Sequence, residues 1–209
     1  MEYILWTFVS IAILIYFGIF LRRALKGKLR NFNFSAASIF LALFFGSVRR
    51  LILPGNIFMI FISNLAFSIF TLPLVYHLEN TIISKTKQVI SYVIMALIAL
   101  FIVMTLLSSF ERIVMNLFVI LPLSFEVAVI FFVYVYLIIK GVGEIRKKST
   151  FILVGLLITI SMWFVHSQIG RRGALATSGL VDIVGIIAPL SIFIGLAIAA
   201  FGFFRAGGE

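Results

Sequence analysis

Glu126 is the residue whose type and position most directly predict chemistry. It lies fourteen residues after Arg112 and fourteen before Lys140, so in a helix it would be about 21 Å from either charge. A carboxylate near the centre of a membrane costs several kcal/mol unless it is protonated, paired or hydrated. Glu126 is therefore a candidate proton- or cation-responsive group or ligand anchor. The alternative is a neutral acid that bonds a neighbouring helix.

Two further residues bear on how Glu126 would act. Pro122 precedes it by one turn in "LPLSFE", and a proline removes a helical hydrogen bond, so we expect a kink and a freed carbonyl near the acid. Asn64, in "FISNLAFS", could be the partner of Glu126. The alternative for Asn64 is that it joins neighbouring helices on its own account.

Two arginine pairs form a second group of candidates: Arg49-Arg50 in "GSVRRLILPGN" and Arg171-Arg172 in "SQIGRRGAL". Adjacent helical residues point about 100° apart, so we expect Arg49 to reach lipid headgroups and Arg50 to turn towards the helix bundle. The alternative is that both anchor the helix end. Asp182 could close an anionic site beside the arginines, or it could complement the dipole of the last helix.

The histidines and the missing motifs bear on catalysis. His166, beside Trp163, is either a titrating sensor or an interfacial residue. His77 is expected on the opposite side of the membrane, so the two cannot share a metal. The sequence has no cysteine, HExxH motif, nucleophile elbow or Asp/Glu cluster. We therefore expect no enzyme activity, no metal and no cofactor.

The composition indicates the elements that must hold these residues. Of 209 residues, 63% are hydrophobic and 11% are charged, which leaves too much apolar surface for a soluble domain. Repeated apolar runs of about 20 residues predict an all-α, polytopic integral membrane protein in the cell membrane. We expect one transmembrane domain over residues 1–209, with the first run a span rather than a cleaved signal.

Seven spans are predicted, separated by short polar loops. Pro54-Gly55-Asn56 ends the second helix, while "SKTKQ" and "KGVGEIRKKST" mark two further loops. Pro189 predicts a kink in the last helix, and Gly195 with Ala199 predicts close helix packing there. The predicted helices cover approximately residues 3–21, 34–53, 57–77, 89–110, 114–139, 151–169 and 180–204.

The basic residues predict orientation and partners. Twelve of the 17 lysines and arginines fall in the first, third and fifth loops or after the last helix. Cytoplasmic loops are enriched in these residues, so we predict the N-terminus outside and the C-terminus in the cytoplasm. The net charge of +10 is then explained by anionic lipid headgroups rather than nucleic acid, since no basic surface carries stacking aromatics.

In its topology the sequence resembles the seven-helix membrane regions of prokaryotic sensor proteins, including certain histidine kinases. The resemblance covers the second helix, which ends in arginine at "FFGSVRR", and the third, which leaves through an acid into "LVYHLENTIISKTKQ". It implies a sensor module. In that family the last helix leads into a cytoplasmic output domain, whereas this sequence ends at "FFRAGGE". We therefore expect the output in a partner chain, or in a longer protein of which this is a piece.

Three functions fit these observations. A sensor or receptor-like module would bind an apolar or amphipathic ligand, or respond to the membrane, and act on a protein partner. A small transporter would use Glu126 as its coupling acid. Helices one to three and five to seven share an order of features at an offset of 122 residues, so a transporter could be built as a 3+1+3 repeat. A structural subunit of a complex, or a homo-oligomer, is the third.

Overall fold

A computed structural model describes residues 2–27, 29–52, 56–109, 112–166 and 180–206. In those ranges the chain is all-α, with seven long helices and one short 3-10 turn, Ser84–Thr86, between the third and fourth. The helices are α1 (Glu2–Leu25), α2 (Arg30–Ile52), α3 (Ile57–Thr81), α4 (Val89–Leu107), α5 (Arg112–Lys140), α6 (Glu144–Val165) and α7 (Leu180–Ala206).

The helices lie where the apolar runs predict them, and the differences are at their ends. α1 continues through Arg22 and Arg23 to Leu25, and α6 begins at Glu144, seven residues before its predicted start. Long basic side chains keep their charge in water while their stems cover apolar surface, so polar residues can extend a helix beyond its apolar run. The turn before α6 contains Gly143 at φ 59°, a backbone conformation that glycine adopts without steric cost.

Several helices are suited to a bilayer. Five of them, among the described residues, are long and apolar enough to cross a membrane: α1, α2, α3, α4 and α7. Large apolar side chains such as Phe8, Phe132 and Leu107 are exposed on the protein surface, where lipid would cover them. The chain is therefore a helical protein suited to membrane association.

The chain divides into two compact units. The central unit is Leu14–Val133, and the terminal unit comprises Met1–Ile13 together with Tyr134–Glu209. In the central unit, the rings of Phe20 on α1 and Phe40 on α2 stack with centroids 5.5 Å apart. Phe61 on α3 and Phe101 on α4 form another buried contact at 5.4 Å. These aromatic pairs pack α1 against α2 and α3 against α4.

The terminal unit depends on backbone contact between α6 and α7. A Cβ atom on Gly155 would overlap Ala199 N and lie 2.5 Å from Gly195 O, and one on Gly195 would lie 2.8 Å from Gly155 O. These backbones approach so closely because neither glycine carries a side chain, which confirms the close packing predicted at Gly195 and Ala199. α7 remains continuous through the buried Pro189.

Replacing Gly155 with alanine should separate α6 from α7. The new methyl group meets backbone rather than a flexible side chain, so we expect the free energy of unfolding to fall by about 1–3 kcal/mol. Gly18→Ala is the matched control, because a Cβ on that helical, exposed glycine meets nothing within 4 Å. Thermal unfolding in detergent measures both variants, and equal melting temperatures would contradict the packing.

Candidate functional site

Glu126 and Thr71 form a buried polar contact between α5 and α3 in the central unit. The side chain of Glu126 is 0% exposed and that of Thr71 is 3% exposed. Thr71 Oγ1 and Glu126 Oε2 form a hydrogen bond of 2.5 Å, while Glu126 Oε1 has no hydrogen-bond partner among the described residues. The predicted mid-helix acid is therefore buried and joined to a second helix by a single hydroxyl group.

Thr71 belongs to a polar face of α3. Asn64, Ser68 and Thr71 follow one another at intervals of four and three residues, which places them on one side of a helix. Among the described residues the hydroxyl that contacts the acid is that of Thr71, two turns beyond Asn64. The alternative for Asn64, that it joins neighbouring helices on its own account, stays a prediction. The spacing from Asn64 places Thr71 on the same face of α3, but it does not identify Thr71 as the residue that contacts Glu126.

A second cross-helix hydrogen bond lies close to Thr71 in the chain. The buried Ser35 on α2 approaches Pro73 O on α3 at 3.0 Å and its own Asn31 O at 2.7 Å. The segment of α3 that holds Thr71 is therefore linked to two other helices.

A second buried acid, Glu79, lies in the last turn of α3. It is 1% exposed, and each of its carboxylate oxygens accepts two hydrogen bonds. Oε1 accepts from Ile90 N at 2.9 Å and Thr86 Oγ1 at 2.6 Å, and Oε2 accepts from Ser91 N at 2.8 Å and Ser91 Oγ at 2.6 Å. The two backbone donors belong to the first turn of α4, so Glu79 caps that helix from a distance.

The function of Glu79 does not follow from the sequence pattern. A helix usually receives its cap from Ser, Thr, Asp or Asn immediately before its first turn. At this position α4 has Gln88, which adopts a left-handed backbone and makes no capping hydrogen bond. The absence of a local cap before α4 was the available signal in the sequence. It could not show that Glu79 accepts the hydrogen bonds of the first N–H groups of α4.

His166 lies in an aromatic cluster of the terminal unit. The side chains of His166 and Trp6 are each 2% exposed. The Trp6 ring contacts His166 edge-on at 5.0 Å and Trp163 at 5.5 Å. The cluster packs the start of α1 against the end of α6, so His166 is a buried aromatic contact rather than an exposed one.

Six other residues that the sequence predicts to be important have side chains outside the described part of the structure. Arg49 and Arg50 lie in α2, Pro122 in α5 and Asp182 in α7, but their side chains are outside the described part of the structure. Arg171 and Arg172 lie wholly outside the described residues. The predicted arginine sites and the division between Arg49 and Arg50 therefore remain predictions.

Neither a cluster of metal ligands among the described residues nor a similar protein indicates what this site does. Within the described ranges no three His, Asp or Glu side chains cluster as metal ligands would. No protein-family model, curated protein or solved structure matches the chain. The geometry of the described residues is therefore the basis for any functional proposal.

Substituting Glu79 with glutamine should destabilise the protein. The amide would turn an NH2 group towards donors that now bond a carboxylate, and a hydrogen bond to a charged group contributes about 1.5–3 kcal/mol. We expect the free energy of unfolding to fall by that amount. Glu144→Gln makes the same chemical change at a half-exposed residue with a single 3.8 Å ion pair, and it should change stability by less than about 1 kcal/mol. Equal effects at both positions would contradict the cap.

Proposed function

We propose that the chain is a non-enzymatic, seven-span membrane sensor or receptor-like module that acts on a partner chain. Its responsive element is the Glu126–Thr71 contact, and its ligand is apolar or amphipathic, or is the membrane itself. The observation that carries this proposal is the burial of an acid at mid-helix with a single hydroxyl partner. An ionisable side chain inside a membrane has a high free-energy cost, so its presence there supports the hypothesis of a functional role.

The seven-span topology rests on helix length and charge. Five helices are long and apolar enough to cross a membrane. By length alone, α5 with 29 residues and α6 with 22 could also reach across a bilayer core of about 30 Å, although α6 begins with the charged stretch EIRKK. Exposed basic residues at alternate connections support a cytoplasmic C-terminus; they include Lys26, Arg30, Lys85, Lys140 and Arg146. Anionic lipids are the proposed partners of those residues.

A transporter is the second candidate function. The oxygen Glu126 Oε1, which has no partner among the described residues, is available to a cation or to a substrate amine. Among the described residues no lysine or arginine is buried and the buried acids are Glu79 and Glu126. This favours the sensor over a carrier of water-soluble substrates, because a hydrated pathway needs polar lining. A structural subunit or a homo-oligomer would leave the acid as a contact between helices.

Cysteine labelling tests the topology directly, because the native chain contains no cysteine. Lys26 and Ser109 are exposed and separated by α2, α3 and α4, so we place them on opposite sides. In intact cells an impermeant maleimide should label Ser109→Cys and spare Lys26→Cys until the membrane is opened. Labelling of Lys26→Cys alone would show the opposite orientation in the membrane. Labelling of both cysteines in intact cells would place both residues outside and would exclude three membrane spans between them.

Gentle purification followed by mass spectrometry tests the function. We expect a signalling partner, such as a kinase or a methyl-accepting protein, to co-purify in stoichiometric amount. In the Glu126→Gln variant we expect that partner to be lost or its signalling output to change. Stoichiometric recovery with an unrelated membrane complex would support a structural subunit instead. Flux in proteoliposomes that Glu126→Gln abolishes would support the transporter and contradict the sensor.

A further inference from the structure

The two buried glutamates of the central unit have opposite surroundings. Glu79 and Glu126 are 1% and 0% exposed. Glu79 receives four donors, two of them backbone N–H groups at the start of α4, so its site stabilises a negative charge. Glu126 has one hydroxyl contact and an oxygen that no described group bonds. A buried anion requires more compensation than that.

The hydroxyl of Thr71 fits a neutral acid as well as it fits an anion. Thr71 Oγ1 lies 2.5 Å from Glu126 Oε2 and 2.9 Å from the carbonyl oxygen of Phe67, one turn earlier on α3. A hydroxyl carries one proton and can accept through its lone pairs. When the carboxyl is protonated, its O–H can donate to Thr71, and Thr71 can donate to the Phe67 carbonyl. The carboxyl proton and the hydroxyl proton then each have an acceptor, and no charge is buried.

No described charge offsets an anion at Glu126. Its hydrogen bond is to α3, whose titratable side chains Tyr76, His77 and Glu79 lie five to eight residues beyond Thr71, in the last two turns of the helix. No described cation forms an ion pair with Glu126. The charged and titratable side chains on the other described helices of the central unit lie elsewhere along the chain, and none bonds the acid: Tyr16, Arg22, Arg23, Arg30 and Tyr92.

We propose that Glu126 is a proton-binding site and that the resting protein carries it as a neutral carboxylic acid. This inference rests on the proposed function and names the proton as the regulator of the same contact. Release breaks the carboxyl O–H bond, transfers the proton to water and leaves a carboxylate. Thr71 then reverses its hydrogen bond, from the Phe67 carbonyl to Glu126 Oε2. Glu126 Oε1 has no hydrogen-bond donor among the described residues. The carboxylate therefore favours a separation of α3 from α5 that admits water or a cation.

Infrared spectroscopy of the purified protein in lipid nanodiscs tests the proton directly, with no ligand or partner present. At neutral pH we expect a protonated-carboxyl C=O band that is absent in Glu126→Gln and retained in Glu79→Gln. In Thr71→Val the band should persist and shift towards the frequency of an unbonded acid. A wild-type spectrum without the Glu126 band would overturn the inference.

Thermal unfolding provides a second measurement that does not depend on band assignment. Glutamine resembles a neutral acid in size and hydrogen bonding, so Glu126→Gln should melt at the wild-type temperature, whereas Glu79→Gln should melt lower. Equal losses at the two positions would contradict a neutral Glu126. The two proposals can fail separately. If infrared spectra show a neutral Glu126 but no partner co-purifies, the proton-binding inference stands and the sensor proposal is refuted.

Discussion

A buried polar atom needs a hydrogen-bond partner inside the protein, and in the central unit that requirement joins α3 to its neighbours. Ser35 on α2 approaches the Pro73 carbonyl, Thr71 bonds Glu126 on α5, and Glu79 caps α4. Hydrocarbon provides no alternative partner for such groups. α3 is therefore the helix that these three buried polar contacts share.

The terminal unit is held by a different interaction. α6 and α7 approach until their backbones touch at Gly155 and Gly195. Helices of similar hydrophobicity to lipid associate through close van der Waals contact and small residues. A closely packed helix pair tolerates little change in spacing, whereas a single hydrogen bond between helices can reverse or break. This contrast explains why the candidate responsive element lies in the central unit.

The positions of the helices could be predicted because apolar runs and loop punctuation are properties of the sequence alone. Their ends were less predictable, since basic residues such as Arg22 and Arg23 continue α1 beyond the apolar run. Glu126 could be found because depth in a span follows from counting residues. Its partner could not be predicted, because which face of α3 meets α5 is set by tertiary packing.

Glu79 shows where sequence patterns give no further information. Its contacts with α4 join residues eleven and twelve positions apart across a turn, and no local motif specifies them. The two acids differ in what surrounds them rather than in residue type or burial. Their proposed functions, a fixed anionic cap and a proton-binding switch, follow from that difference.

The central claim is that the Thr71–Glu126 contact couples α3 to α5, and a double-mutant cycle measures it most directly. Unfolding free energies of Thr71→Val, Glu126→Met and the double variant, in one membrane mimetic, give the interaction energy of the pair, because each single substitution removes the hydrogen bond. We predict a favourable coupling of about 0.5–2 kcal/mol. Strictly additive effects of the two substitutions would contradict it.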